Sequence, residues 1–536
     1  MILLAGFLEV VFKALVLVGF VLATGGVAFG VGVLRPLRSR VPASMLARTL
    51  ALVALGGGAV LIFQLATLLI EPWALADELG RWPVAEFLAT RFARAGLAHA
   101  AVGGVLAMGA LWARARAGRG ASWALLASGA GLLAATGAPL VHGASRLEGA
   151  AALATITVVH QVAAGIWAGG LVHLLAQRPL CRDGLGAPET WAAMVSRFSR
   201  LAVSGVLVIG ATGALLGWRY IATTSGLVGT AYGAMVLTKV ALMGAALVLG
   251  AGNFLAAMRW RSRGATAGEA EMVRSRVEAE TGIVLVIVLA AAALTSQPPA
   301  VDVREKATPR EVAEMFAPKP VRLAPPPYRE MVATAAPTLD PYALPGPFDS
   351  AQSNFNHNIA GLLVIVVALG ALLDRSGKVP AARHWPLAFL ALAAFMLILA
   401  EPNGWPFGPE GLFETLLAPS ALLHRVATAL VVALAVFEWR VRVGGLAATR
   451  WRFAFPSLAL VGGALLLTHS HSVLAAKRIY LIEVSHNAIG FLAVLIGIAR
   501  WLELRSPDGA ARRRYGLVWP ACMALVGLVL VFYREL

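Results

Sequence analysis

LTHSHSVLAAKRIYLIEVSHN, residues 467–487, joins two apolar stretches, about 453–470 and 482–501, each about twenty residues long. About twenty apolar residues cross the hydrocarbon core of a bilayer as a helix. The pair therefore reads as a membrane hairpin that turns back on itself, and the turn brings His469, His471 and His486 to one membrane face. Glu483 stands three residues before His486, on the same helix face, and is placed to orient a ring through its second nitrogen. His469 and His471 are two residues apart, a rotation of about 200°, so only one of them faces the bundle. His469 and His486 are read as ligands, and His471, nearer the loop, as the entry residue.

About fourteen such stretches occur in 536 residues, twelve of them before this pair or after it. The fold class is all-α, a polytopic membrane helical bundle. With 59% apolar and 14% charged residues and a mean hydropathy of +0.76, the lipid bilayer is its solvent. A net charge of +17 would suggest nucleic acid in a soluble chain. Here Lys and Arg sit in short runs between apolar stretches, the pattern that sets orientation, so nucleic acid is not a partner.

The connections alternate. RPLRSR (35–40), ARARAGR (113–119), the stretch 178–200, RWRSR (259–263), DRSGK (374–378), EWRVR (438–442) with RWR (450–452), and RSPDGAARRR (505–514) are basic and expected in the cytoplasm. Loops such as 71–86 and 401–414 are acidic or neutral, and an even number of spans with both termini outside satisfies them all. Between them lies a proline-rich stretch with PPP at 325–327, too polar to span. The expected organisation is an eight-helix membrane domain at 1–296, an extracytoplasmic linker at 297–352 and a six-helix membrane domain at 353–536. The first stretch carries Glu9 and Lys13, four apart and read as neutralising each other, and lacks a small-residue cleavage site; it reads as a retained helix. The two cysteines, Cys181 and Cys522, have no CxxC spacing and indicate neither a disulfide framework nor a thiolate metal site.

With this topology His99, His142, His160, His357, His424, His469, His471 and His486 lie toward the outer side, and only His173 and His384, of ten histidines, lie inward. Imidazole is the commonest side-chain metal ligand near neutral pH and suits copper, zinc and iron. Drawn from adjacent helices at one depth, such a set is what a bundle-core metal or haem site requires. A first site from His99, His142 and His160 and a second from His357, His424, His469, His471 and His486 are expected. Polar groups inside spans suggest a route: Lys239, whose alternative is snorkelling to the interface, and Asn253 fourteen residues on. Met243, with Met235 and Met258, is a candidate soft ligand for Cu(I), though methionine commonly only fills gaps. Neither a GxxxxGK[ST] loop nor a DKTG motif is present, so transport would be passive or ion-coupled, and no enzymatic role is expected.

From His160, HQVAAGIWAGGLVHLL, then SRFSRLAVSGVLVIGATGALLGWRY (196–220) and GTAYGAMVLTKVALMGAALVLGAGNF (229–254), the chain resembles the CopD family of bacterial inner-membrane copper resistance proteins. The His-x6-Trp-x-Gly-Gly pattern, the Arg-Phe-Ser-Arg entry, the Gly-Thr-x-Tyr-Gly turn and the Lys-then-Asn helix carry the likeness over about 155–296. NHNIAGL, HRVATALVVALAVFEWRVR and the opening hairpin resemble the additional membrane region of long CopD-like proteins. The resemblance implies a copper ion, as Cu(I) or Cu(II), taken from the periplasm toward the cytoplasm. It also implies a CopC-like periplasmic carrier, which would be a separate chain, because the linker holds only Met315 and Met331 as soft ligands. Two other readings use the same residues: b-type haem ligated by the outer histidines for electron transfer, and a scaffold or metal sensor whose histidines transport nothing.

Overall fold

The computed structural model describes residues 2–116, 120–141, 149–177, 188–327, 329, 346–468, 476–507 and 509–535. Fourteen of its helices are long and apolar enough to cross a membrane, and no strand occurs among the described residues, so the chain is an all-α multi-pass membrane protein. In order they are α1 Ile2–Phe29, α2 Ala43–Leu79, α3 Arg91–Ala115, α4 Gly120–Gly137, α5 Ala150–Ala176, α6 Pro188–Tyr220, α7 Ala231–Arg263 and α8 Ala267–Thr295. After the linker come α9 Pro347–Ser376, α10 Ala388–Leu399 with a tight lead-in turn Pro380–Leu387, α11 Pro419–Arg442, α12 Ala454–Thr468, α13 Ala476–Arg505 and α14 Ala510–Val531. Large apolar side chains such as Val248, Leu69 and Leu207 stand exposed on these helices. In water that would be a liability; in hydrocarbon it is the ordinary outer face.

The chain forms two compact units. The first holds Leu8–Ala222 and Ala241–Ser296; the second holds Met1–Phe7, Thr223–Val240 and Gln297–Leu536. In the first, α2 packs along α3, and α5 along α6. Helices in lipid gain little from apolar contact and rely on close backbone approach. Gly169 supplies it: a Cβ there would stand 2.1 Å from the Val21 carbonyl oxygen. α8 begins at Thr266, whose hydroxyl accepts from the Glu269 amide while the Glu269 carboxylate accepts from the Thr266 amide. The Glu9–Lys13 ion pair forms on α1, as the spacing suggests.

In the second unit α9 packs on α14, α13 on α14, and α12 on α13, the opening hairpin; residues 469–475 of its turn lie outside the described residues. Around Trp385, Phe455 and Trp519 a buried apolar core forms. The early part of the proline-rich stretch is not a bare tether. It holds the short helix Pro309–Met315, again opened by a capping box, with Thr308 and Glu311. Ala307 and Met315 join Ala234, Tyr480, Leu481 and Val484 in a small core. The Ala307 amide donates to Gly229 O at 2.9 Å, and no Cβ fits at Gly229 beneath it. Gly229 and Thr230 open the Gly-Thr-x-Tyr-Gly turn, where the Thr230 hydroxyl accepts from the Gly233 amide.

NFNHN (354–358) bolts the start of α9 to its surroundings. Asn356 donates to Leu399 O at 2.9 Å, Asn354 accepts from the Glu535 amide at 2.7 Å, and Asn358 donates to the Leu530 and Tyr533 carbonyls and accepts from Arg534 and the Arg322 amide. At the opposite ends of these helices three arginines alternate with three carboxylates. Arg442 bridges Asp374 and Glu438, Arg500 bridges Glu438 and Glu503, and Arg375 also reaches Glu503. The Trp519 indole donates to Glu503 at 2.7 Å. From the sequence Arg375 and Arg442 read as loop cations; the fold places both in this neutral, largely buried network, because burial of either charge alone would be costly.

Candidate metal site

Three imidazoles come from three helices of the second unit. His357 on α9 and His486 on α13 meet edge to face, with ring centroids 5.5 Å apart and planes at 89°. Tyr533 lies flat on His357 at 3.9 Å and edge-on to His486 at 5.8 Å. His424, on α11, lies within electrostatic reach of both rings.

Each ring is held by the same nitrogen. His357 Nδ1 lies 2.8 Å from Ser353 O, one turn back, and His486 Nδ1 lies 3.1 Å from Ile482 O, also one turn back. A carbonyl only accepts, so both Nδ1 atoms carry the hydrogen and both Nε2 atoms keep a lone pair. His424 Nδ1 pairs with the Glu401 carboxylate at 2.5 Å, the carboxylate–imidazole arrangement that raises ligand basicity at metal sites. His357 and His486 therefore offer neutral nitrogen donors, the form a metal ion binds. Tyr533 stays a phenol: burial pushes its hydroxyl well above the ordinary tyrosine range, so it packs against the ligand ring and adds no charge.

The Nδ1 anchor expected from Glu483 is, for His486, the Ile482 carbonyl; Glu483 itself is buried one turn before His486. His469 and His471 lie outside the described residues, as does His142. Among the described residues no group of three or more His, Cys, Asp and Glu side chains closes into a metal cage. What stands ready in the second unit is a contacting pair of imidazoles with a third nearby.

The first unit handles its histidines separately. His99 on α3 puts Nδ1 3.2 Å from the Thr136 hydroxyl of α4, and His160 on α5 puts Nδ1 2.9 Å from the Thr212 hydroxyl of α6. Both hydroxyls donate to carbonyls of their own helices, Leu132 O and Val208 O, so each accepts from its imidazole. His173 takes the other tautomer, donating from Nε2 to Leu22 O at 2.9 Å. In the second unit, His384 accepts from the Trp439 indole at 3.0 Å.

Of the polar groups read as a route, Lys239 is half-buried on α7, with no hydrogen-bond or ion-pair partner among the described residues, and Met243 is half-buried on the same helix. Asn253 is buried and donates to Glu280 at 3.0 Å. The Trp167 indole, from the His-x6-Trp pattern, donates to the other oxygen of Glu280 at 3.3 Å. Glu280 escapes a sequence reading because Glu278 and Arg276 flank it, so the run looks like a polar helix start. Tyr533 and Glu401 escape too: one is in the terminal FYREL, the other begins a loop, and only the fold brings them to histidines. The signal available for Glu280 was an acid followed by twenty-one residues without another charge.

Residues 192–294 match the family model described as copper resistance protein D, CopD. Copper transport protein CutJ of Bacillus subtilis (strain 168) is 36% identical over 143 residues, which cover 26% of this chain and 24% of CutJ. The chain thus spans about a quarter of the length of that relative. No solved structure matches the chain significantly.

Proposed function

From the CopD-type copper-resistance region that this chain carries, we propose that the protein is a copper transporter, not an enzyme, that takes the ion from the periplasmic side of the bacterial inner membrane and moves it toward the cytoplasm. The observation that carries the reading is the His357–His486 pair with His424 beside it, all three anchored through Nδ1. Cu(I), a soft ion that accepts imidazole and few ligands, suits such a pair better than an ion that needs a full cage. His469 and His471, with His99, His142 and His160, complete the proposed outer sites, and Lys239, Asn253, Met243 and Glu483 belong to the proposed route and its support. The proposal retains the division into domains 1–296, 297–352 and 353–536, with both termini and the linker in the periplasm and a separate CopC-like carrier as donor.

Copper takes precedence over b-type haem because the two rings touch and Tyr533 covers one face of His357. A macrocycle would have to separate rings that are already in van der Waals contact. The experiment is metal analysis with absorbance of the purified protein. Stoichiometric copper that falls in His357→Ala and His486→Ala, in a colourless protein, supports the reading; a Soret band lost in His486→Ala would replace it with haem.

A further inference from the structure

Glu280 is a carboxyl midway along a membrane helix, buried, and without a cationic partner among the described residues. Such a group is costly in a bilayer and is a functional candidate by default. All its hydrogen bonds come from neutral donors: Trp167 on Oε1 and Asn253 on Oε2. No charged or titratable group on its own or the neighbouring helices hydrogen-bonds or ion-pairs with it among the described residues. Arg276, one turn earlier, lies along Gly252 of α7, and His160 and His173 on α5 are held by Thr212 and Leu22 O. Neither Arg197 of α6 nor Arg259 of α7 forms an ion pair with Glu280 among the described residues.

The second observation concerns the partners' chemistry. Asn253 Oδ1 is buried and has no hydrogen-bond partner. An indole only donates, so Trp167 always presents N–H to a carboxyl oxygen; a side-chain amide donates through Nδ2 and accepts through Oδ1. With Glu280 ionised, Nδ2 donates to the carboxylate, as seen. With Glu280 protonated, a half-turn of the Asn253 amide presents Oδ1 to the new O–H, and both forms are hydrogen-bonded. An arginine partner would permit only the ionised form.

We propose that Glu280 is a proton-binding site that couples ion movement through the first unit to proton counterflow. The carboxylate takes one H⁺ when the cation leaves and releases it when the next cation arrives, so one positive charge replaces another and no net charge accumulates in the bilayer. His160 and Trp167 are seven residues apart on α5, two turns along one face, which sets Glu280 about 10 Å along the helix from an imidazole of the proposed copper route. The coupling rests on the copper reading; the proton site does not.

Two measurements keep these apart. Infrared difference spectra of the copper-free, full-length protein across a pH titration are expected to show a protonated-carboxyl C=O band that is lost in Glu280→Gln and shifted in Asn253→Leu. Absence of such a band, or its persistence in Glu280→Gln, overturns the proton site. In proteoliposomes given Cu(I), with a trapped pH dye, wild type is expected to move protons against copper, and Glu280→Gln to lose proton movement while still binding copper. Copper uptake without proton movement in wild type overturns the coupling. Failure of uptake with the titrating band intact overturns the copper reading and leaves the proton site standing.

Discussion

The two units treat buried polar groups in opposite ways. In the first, two histidines and the mid-helix acid stand single: His99 and His160 each against one threonine, Glu280 between two neutral donors. The second gathers them: three imidazoles at one end of its helices, three arginines with three carboxylates at the other. A lone group with neutral partners changes its protonation or ligand state at small cost. A carboxylate saturated by arginines cannot, because protonation would strand the guanidinium charges in a poor dielectric. The difference separates parts suited to change state from parts that hold shape.

Removing a partner from the network should have the largest effect. Arg500→Met leaves Glu438 and Glu503 short of a cation and is expected to destabilise the protein by about 3–5 kcal/mol in thermal unfolding. Glu280→Gln should shift stability by less than about 1 kcal/mol, since neither of its partners is charged. Equal losses in the two variants would break the contrast. Next comes copper affinity. His486→Ala is expected to weaken it by about a hundred-fold or more, and Glu401→Gln, which only withdraws the carboxylate behind His424, by about ten-fold. His99→Ala should change equilibrium binding at the second unit by less than about two-fold, because His99 is held by Thr136 and shares no hydrogen-bond partner with His357, His424 or His486.

The smallest effect concerns pH. The Lys477 ammonium, 2.7 Å from Glu311, and the Thr308 cap hold that carboxyl down to about 2. A depressed carboxyl contributes stability that is complete above its ordinary pKa and is lost as pH falls through the depressed one. Protease resistance of the Pro309–Met315 segment should therefore be full above about pH 4.5 and decline progressively as pH falls from there to about 2. Lys477→Ala should raise the lower end of that decline.

The membrane fold was legible because hydropathy is local. The stretch near 385–400 corresponds to Pro380–Leu399, and each of the fourteen stretches has its helix. The nearness of His357, His424 and His486 was legible for a similar reason: their positions along their helices follow from where each span ends. What touches each ring is set by packing between distant segments. Ser353 O and Ile482 O follow from helix geometry once the ring turns back along its own helix, but Tyr533 reaches His357 only because Asn358 fastens the chain after α14. The pairing of Arg442 with Asp374 across 68 positions, and of Asn253 with Glu280, leaves no trace in hydropathy. The helix Pro309–Met315 was hidden by the prolines around it, although Thr308 and Glu311 spell a capping box.

The central claim is that copper binds where His357 and His486 meet. Metal analysis of wild type against the double variant His357→Ala/His486→Ala, after identical loading with Cu(I), tests it directly. The account predicts that the double variant loses at least one copper ion per chain while its helical circular dichroism is unchanged; the full wild-type stoichiometry in a folded double variant would contradict it.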